Sequence, residues 1–138
     1  MPDSSAVDSA VISRLLGDAT LQGLMPDGVF WDIAAPGKTR FVIVSQVIHE
    51  DEASFTQTAF ERFTYLVKAV ENSSSGANIL AAAARIHVLL HDATFTVTGY
   101  GLMASHRIER VRFTEVDDLN AYVRWQHRGG RYEVEVSV

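Results

Sequence analysis

His87 and His91 stand four residues apart, the spacing at which two imidazoles on one helix face can share a metal ion, and Asp92 follows directly. A metalloprotease helix would also carry a glutamate beside the first histidine, whereas Val88, Leu89 and Leu90 fill the interval. With no third ligand identifiable, the pair reads as helix-surface histidines. Glu50, Asp51 and Glu52 have the chemistry of paired carboxylates or a cation site, but without the regular spacing of a ligand loop they read as a solvated loop. Ser45, His49 and Asp51 supply the residue types of a nucleophile, a base and an orienting acid, yet no sharp Gly-x-Ser-x-Gly elbow surrounds the serine. Gly99-Tyr100-Gly101 and Gly129-Gly130 lack the strand–loop–helix setting and the following Lys-Ser/Thr of a phosphate cradle, and read as turns. No catalytic, cofactor-binding or metal-ligating residue is therefore assigned, and an enzyme is not expected.

Charge is more informative than chemistry. Arg107, Arg110 and Arg112, joined by Arg124, Arg128 and Arg131, form one basic concentration in a chain of net charge −5. Exposed strand faces accommodate them most simply. Their functional reading is contact with an acidic surface, such as the Glu50-Asp51-Glu52 loop of a neighbouring copy. Head-to-tail contact between unlike patches closes into rings.

The elements that must position these residues follow from apolar spacing. Ala6, Val7, Ala10, Val11, Leu15 and Leu16 recur at helical intervals, predicting a helix over Ser5–Leu16. Gly17 ends it, and Asp18 caps a short turn that carries Leu21, Leu24 and Met25 inward before Pro26-Asp27-Gly28. Val29–Ile33 has strand composition, and Ala34–Thr39 holds a Pro-Gly turn. Phe41–Ile48 has β-branched residues on both faces, as expected of a strand covered on both sides and ended by the acidic stretch His49–Glu52. Phe60–Val70 reads as a further strand, and Ser73–Gly76 leads into a helix over Gly76–His91 with Ile79, Leu80, Ala83, Ile86, Leu89 and Leu90 on one stripe. The last third reads as strands around Ile108–Phe113, Ala121–Trp125 and Tyr132–Val138, with Arg128–Arg131 as a hairpin turn. The order predicts an α+β fold, a mainly antiparallel sheet with helices packed on one face.

At 138 residues the chain fits one domain spanning residues 1–138. Its 47% hydrophobic and 21% charged content is that of a globular protein with a real core. There is no cysteine, so disulfides, thiolate nucleophiles and cysteine-ligated metals are excluded. No apolar run reaches the roughly 18 residues that span a bilayer, and Met1–Ser5 lacks the basic start of a secretory signal, so a cytosol-like compartment and no membrane partner are expected. The acidic balance argues against a duplex-DNA or anionic-membrane binder.

This layout resembles the tail-completion, or tail terminator, family that joins head to tail in long-tailed bacteriophages and gene transfer agents. The likeness lies in the Leu21–Leu24 stretch before Val29–Ile33, the Pro36 loop before Phe41–Ile48, the strand Phe60–Val70, the polar Ser73–Gly76, the Ala81–Leu90 helix, and the closing segments Tyr122–Trp125 and Tyr132–Val138. Residues 94–118 are longer and richer in charge than that pattern. The resemblance implies a non-enzymatic, cofactor-free virion protein of the tail or neck, assembled in the bacterial cytoplasm as a ring, usually a hexamer. Such a ring caps the tail tube, stops its growth, meets the head connector, and lets DNA pass through its lumen without specific binding. On this basis the six arginines face a neighbouring subunit, and the His49–Thr58 loop, with Glu50, Asp51, Glu52 and Phe55, faces the tube or lumen. A neck stopper or tube subunit of related fold is one alternative; a small metal- or ligand-binding domain or enzyme built on His87, His91 and Asp92 is the other.

Overall fold

The computed structural model describes residues 3–53, 58–72, 76–117, 119–120 and 122–137. Helix α1 (Ser5–Leu16) buries Val7, Val11 and Leu15, one residue per turn, so a single stripe faces the sheet. Asp18, in extended backbone, accepts the Leu21 N–H at 2.9 Å and opens α2 (Ala19–Leu24), which buries Leu21. Helix α3 (Ala77–Leu90) buries Ile79, Ala82, Ile86, Leu89 and Leu90. Polar ties join the three helices into one layer: the Arg85 guanidinium donates to both Asp18 oxygens at 2.8 and 2.6 Å, and Arg14 Nε donates to the Leu89 carbonyl at 3.0 Å. The Arg85 fork holds the Asp18 carboxyl below the usual carboxylate range.

Five strands form the second layer: β1 (Val29–Trp31), β2 (Arg40–Ala53), β3 (Thr58–Asn72), β4 (Gly101–Val116) and β5 (Arg124–Ser137), in the order β1-β2-β3-β5-β4. Only β1–β2 is parallel; the other three pairings are antiparallel. The architecture is the expected α+β one, with the helices on one face. Val42, Val44, Phe63, Tyr65, Val67, Ala69, Tyr132, Val134 and Val136 alternate onto that face and join the helix residues in one core. Each fully buried aliphatic side chain there stabilises the fold by about 1.5–3 kcal/mol. Inside this core the Tyr65 hydroxyl donates to Asp8 at 2.5 Å, tying α1 to the sheet; burial first, then that carboxylate, raises the phenol's pKa. Phe41, Ile43 and Val70 make a smaller cluster with Phe30 and Trp125 on the other face, so β2 is covered on both sides over residues 41–44. No helix among the described residues is long and apolar enough to cross a membrane.

Three expectations are corrected. Strand β2 does not stop at His49 but continues to Ala53, paired through Glu50↔Arg62 and Glu52↔Phe60. An acidic stretch stays in the ladder because Arg62 stands opposite it. Arg128–Arg131 is not a turn but the middle of β5, where Gly129 pairs with Lys68 and Gly130 with Val67. Glycine is required there by crowding: a Cβ on residue 129 would lie 2.0 Å from the Val67 carbonyl oxygen, and one on residue 130 would lie 2.7 Å from that of Glu109. The β4–β5 connection instead spans 117–123, and strand pairing begins at Arg124 rather than at 121. The Asp117 carboxylate organises this turn by accepting the N–H groups of Leu119 and Asn120 and the Trp125 indole N–H, which together hold its pKa low.

Candidate assembly interface

Strand register determines which arginines act together. Cross-strand pairing puts Arg107 with Tyr132, Arg110 with Gly130, Arg112 with Arg128 and Arg124 with Val116, so these five arginines share the helix-bearing face of the β4–β5 ribbon. Arg131 pairs with Glu109 on the opposite face and forms an ion pair with it at 3.7 Å. The structure therefore separates Arg131 from the group proposed in the sequence. Arg110, Arg112 and Arg124 are exposed, whereas Arg107 and Arg128 are half-buried. Among the described residues, Arg107, Arg110, Arg112 and Arg128 make no ion pair within the chain. Arg107 lays its aliphatic stem against Gly130, beside the Tyr132 ring.

The acidic residues divide by the same alternation. Glu50 and Glu52 share the open face with Arg62, at 3.7 and 3.1 Å from Nη1, and β5 adds Glu133 and Glu135, at 3.3 and 3.2 Å from Nε. One guanidinium thus serves four carboxylates. The Glu135 hydrogen bond, ahead of the surrounding charge, raises the Arg62 pKa. Excess negative charge shows at Glu133, whose pKa is raised by burial first and by its hydrogen bond with Glu135 second, against the pull of Arg62 and His106. Asp51 points the other way, opposite Glu61 and near His49. Phe55 lies outside the described residues. Glu133, Glu135 and Arg62 were not singled out from sequence: alternation in Tyr132–Val138 put the two glutamates on one face, but only β3–β5 pairing brings Arg62 to them.

Both charged stretches border unpaired strand edges. Strand β4 is last in the sheet, and β1 covers β2 only from Val42 to Val44, so among the described residues the outer edge of β2 from Ser45 to Ala53 is open. The two edges lie on opposite sides of the sheet: β4 carries Arg107, Arg110 and Arg112 on its helix-bearing face and Glu109 and Glu115 on the other, whereas β2 carries Glu50, Asp51 and Glu52. They also hold exposed apolar side chains: Val47 and Ile48 on β2, and Met103, Ile108, Phe113 and Val116 on β4. Edge strands that combine apolar and charged side chains template strand addition and select for a partner edge of complementary charge.

The other candidates do not assemble into a catalytic site. His87 and His91 stack at 4.4 Å, but His91 Nδ1 accepts the Arg107 N–H at 3.0 Å, its Nε2 faces Asp92 at 3.3 Å, and His87 Nδ1 lies 3.4 Å from the Tyr132 hydroxyl. Burial, then Arg107, lowers the His87 pKa. Neither of two grooves, of about 480 and 380 Å³, is lined by His87, His91 or Asp92. Ser45 lies within β2, away from any turn, and the glycines at 129 and 130 meet neighbouring backbone rather than an open phosphate site.

No family model matches the chain, and no curated protein matches it. Solved structures do share its fold. A chain from the virion of a native gene transfer agent particle is similar with a TM-score of 0.66 at 22% identity, over 96% of this chain and 96% of that one. A second solved chain, which carries no functional name, is similar with a TM-score of 0.66 at 11% identity, over 100% of this chain and 98% of that one.

Proposed function

We propose that this protein is a virion structural subunit of the tail-terminator type, which closes into a ring on the end of a tail tube, stops its growth and joins it to the head connector. The observation that carries the reading is the pair of open sheet edges, β4 with arginines along its helix-bearing face and β2 with an acidic stretch, on opposite sides of one subunit. A surface that complements a different surface of the same molecule makes heterologous contacts, and a fixed rotation per contact closes them into a ring. In this arrangement Arg107, Arg110, Arg112, Arg124 and Arg128 face the neighbour, and Glu50, Asp51 and Glu52 receive them. The end of the β2–β3 hairpin faces the tube or lumen. A fold shared with a gene transfer agent virion chain over nearly the whole length supports a place in such a particle.

The mechanism is steric and multivalent. Each edge contributes modest hydrogen bonds and ion pairs, and closure makes every contact intramolecular, so the ring outlasts any single contact. Once seated, it covers the surface on which the next tube ring would add. Net charge of −5 per subunit suits a lumen through which DNA slides without sticking. No step of this role requires a catalyst or cofactor. Native mass spectrometry over a concentration series, with negative-stain images, tests it: a closed ring, expected at six subunits from the resemblance, supports the assignment. A chain that stays monomeric both alone and with tail tubes overturns it.

A further inference from the structure

On the helix-bearing side of the β2–β3 hairpin end, three potential ligands converge. His49 and Asp51 lie two residues apart on β2, and Glu61 stands directly across from Asp51 on β3. One ligand atom from each lies within 4.8 Å of the other two. Cross-strand register, not sequence spacing, makes this cluster: Asp51 and Glu61 are ten positions apart in the chain, with no recognisable ligand motif between them.

Electrostatics makes the arrangement costly without a cation. Two carboxylates face each other across a strand pair, a placement that destabilises a sheet unless something neutralises it. Glu61 cannot escape to solvent, since its side chain is only 10% exposed. A third carboxylate, Asp3, adds to the negative charge around Tyr100, which hydrogen-bonds Glu61. No lysine or arginine among the described residues forms an ion pair with Asp3, Asp51 or Glu61, because Arg62 is committed to the opposite face. Among the described residues, the basic group at hand is His49, stacked on Phe63 at 4.1 Å with Nε2 2.8 Å from Glu61 Oε1. The ring packing fixes the imidazole so that this nitrogen points at the carboxylates.

We propose that His49, Asp51 and Glu61 bind a divalent transition-metal ion of the zinc class. One imidazole nitrogen and two carboxylate oxygens leave a fourth position for water, and a nitrogen donor favours zinc over magnesium or calcium, which prefer oxygen alone. The ion would neutralise the facing carboxylates and clamp β2 to β3 at the open edge. The site shares Asp51 with the acidic edge invoked for the ring, but all three ligands come from one chain and it requires no neighbouring copy.

Isothermal titration of EDTA-treated full-length protein with Zn²⁺ tests it, with Mg²⁺ as the comparison ion. Saturable binding of one Zn²⁺ per chain is expected, with no measurable uptake of Mg²⁺. Asp51→Asn, at an exposed position that does not endanger folding, should weaken Zn²⁺ binding about tenfold or more, and Glu61→Gln should act likewise. The double variant His87→Ala/His91→Ala should bind as the parent does. Absence of saturable Zn²⁺ binding, undiminished binding by Asp51→Asn, or loss of binding on removing His87 and His91 would each overturn the proposal.

Discussion

Replacing Gly129 by alanine is the sharpest test of how β5 is built. The added Cβ would sit 2.0 Å from the Val67 carbonyl oxygen, 2.6 Å from the Lys68 Cα and 2.9 Å from the Val67 carbonyl carbon, all of them backbone atoms in the centre of the sheet. No rotamer change relieves such a contact, so β3 and β5 must separate locally and lose ladder hydrogen bonds. Overpacking of this kind costs about 3 kcal/mol. For 138 residues the unfolding entropy is about 0.3 kcal/mol/K, so the melting temperature should fall by about 10 °C. Gly23 provides an internal control: in α2, with nothing within 4 Å of an added Cβ, its change to alanine should leave stability equal or raise it by about 0.5–1 kcal/mol. Differential scanning calorimetry of both variants gives the answer. If Gly129→Ala melts with the parent, residues 128–131 form a turn after all, and the β5 register described above is wrong.

Two further outcomes follow from the electrostatics. The His87 pKa is depressed by burial and by Arg107, so the fold keeps this ring neutral; its stability contribution is present above the unfolded value of 6.5 and lost as pH falls through the lower folded value. Between pH 7 and pH 5, urea midpoints should therefore drop less for His87→Gln than for the parent, and equal slopes would contradict this. The Glu133 pKa is raised, so its contribution is lost as pH rises through the folded value, and at pH 7 its charge is a cost within the four-glutamate cluster. Glu133→Gln should raise the melting temperature at pH 7 and lose that advantage near pH 4; a lower melting temperature at pH 7 would show that pairing with Arg62 outweighs the repulsion.

Most of the architecture was readable from local rules. Val7, Val11 and Leu15 announced α1, the Asp18 cap announced α2, and the Ile79–Leu90 stripe announced α3, because each signal involves residues within one or two turns. The Phe41–Ile48 run likewise told of a strand buried on both faces, which holds for residues 41–44 but not for the exposed Val47 and Ile48. Where the reading failed, a distant strand had decided the outcome. Gly129-Gly130 looks like a turn because glycine usually marks one, whereas here it answers the crowding of Val67 and Glu109 from β3 and β4. Glu50–Glu52 looked like a loop because its opposite charge, Arg62, lies on another strand. For the candidate interface, the arginine concentration was legible in composition. The separation of Arg131, the opposite orientation of Asp51 and the recruitment of Glu133 and Glu135 all required the register.

The account rests on unlike edges meeting head to tail, and charge reversal tests that most directly. Arg110→Glu with Arg112→Glu should abolish rings in native mass spectrometry while leaving the circular dichroism spectrum and melting temperature near those of the parent, since neither side chain has an ion-pair partner among the described residues. Rings that form unchanged with Arg110 and Arg112 reversed would contradict the account.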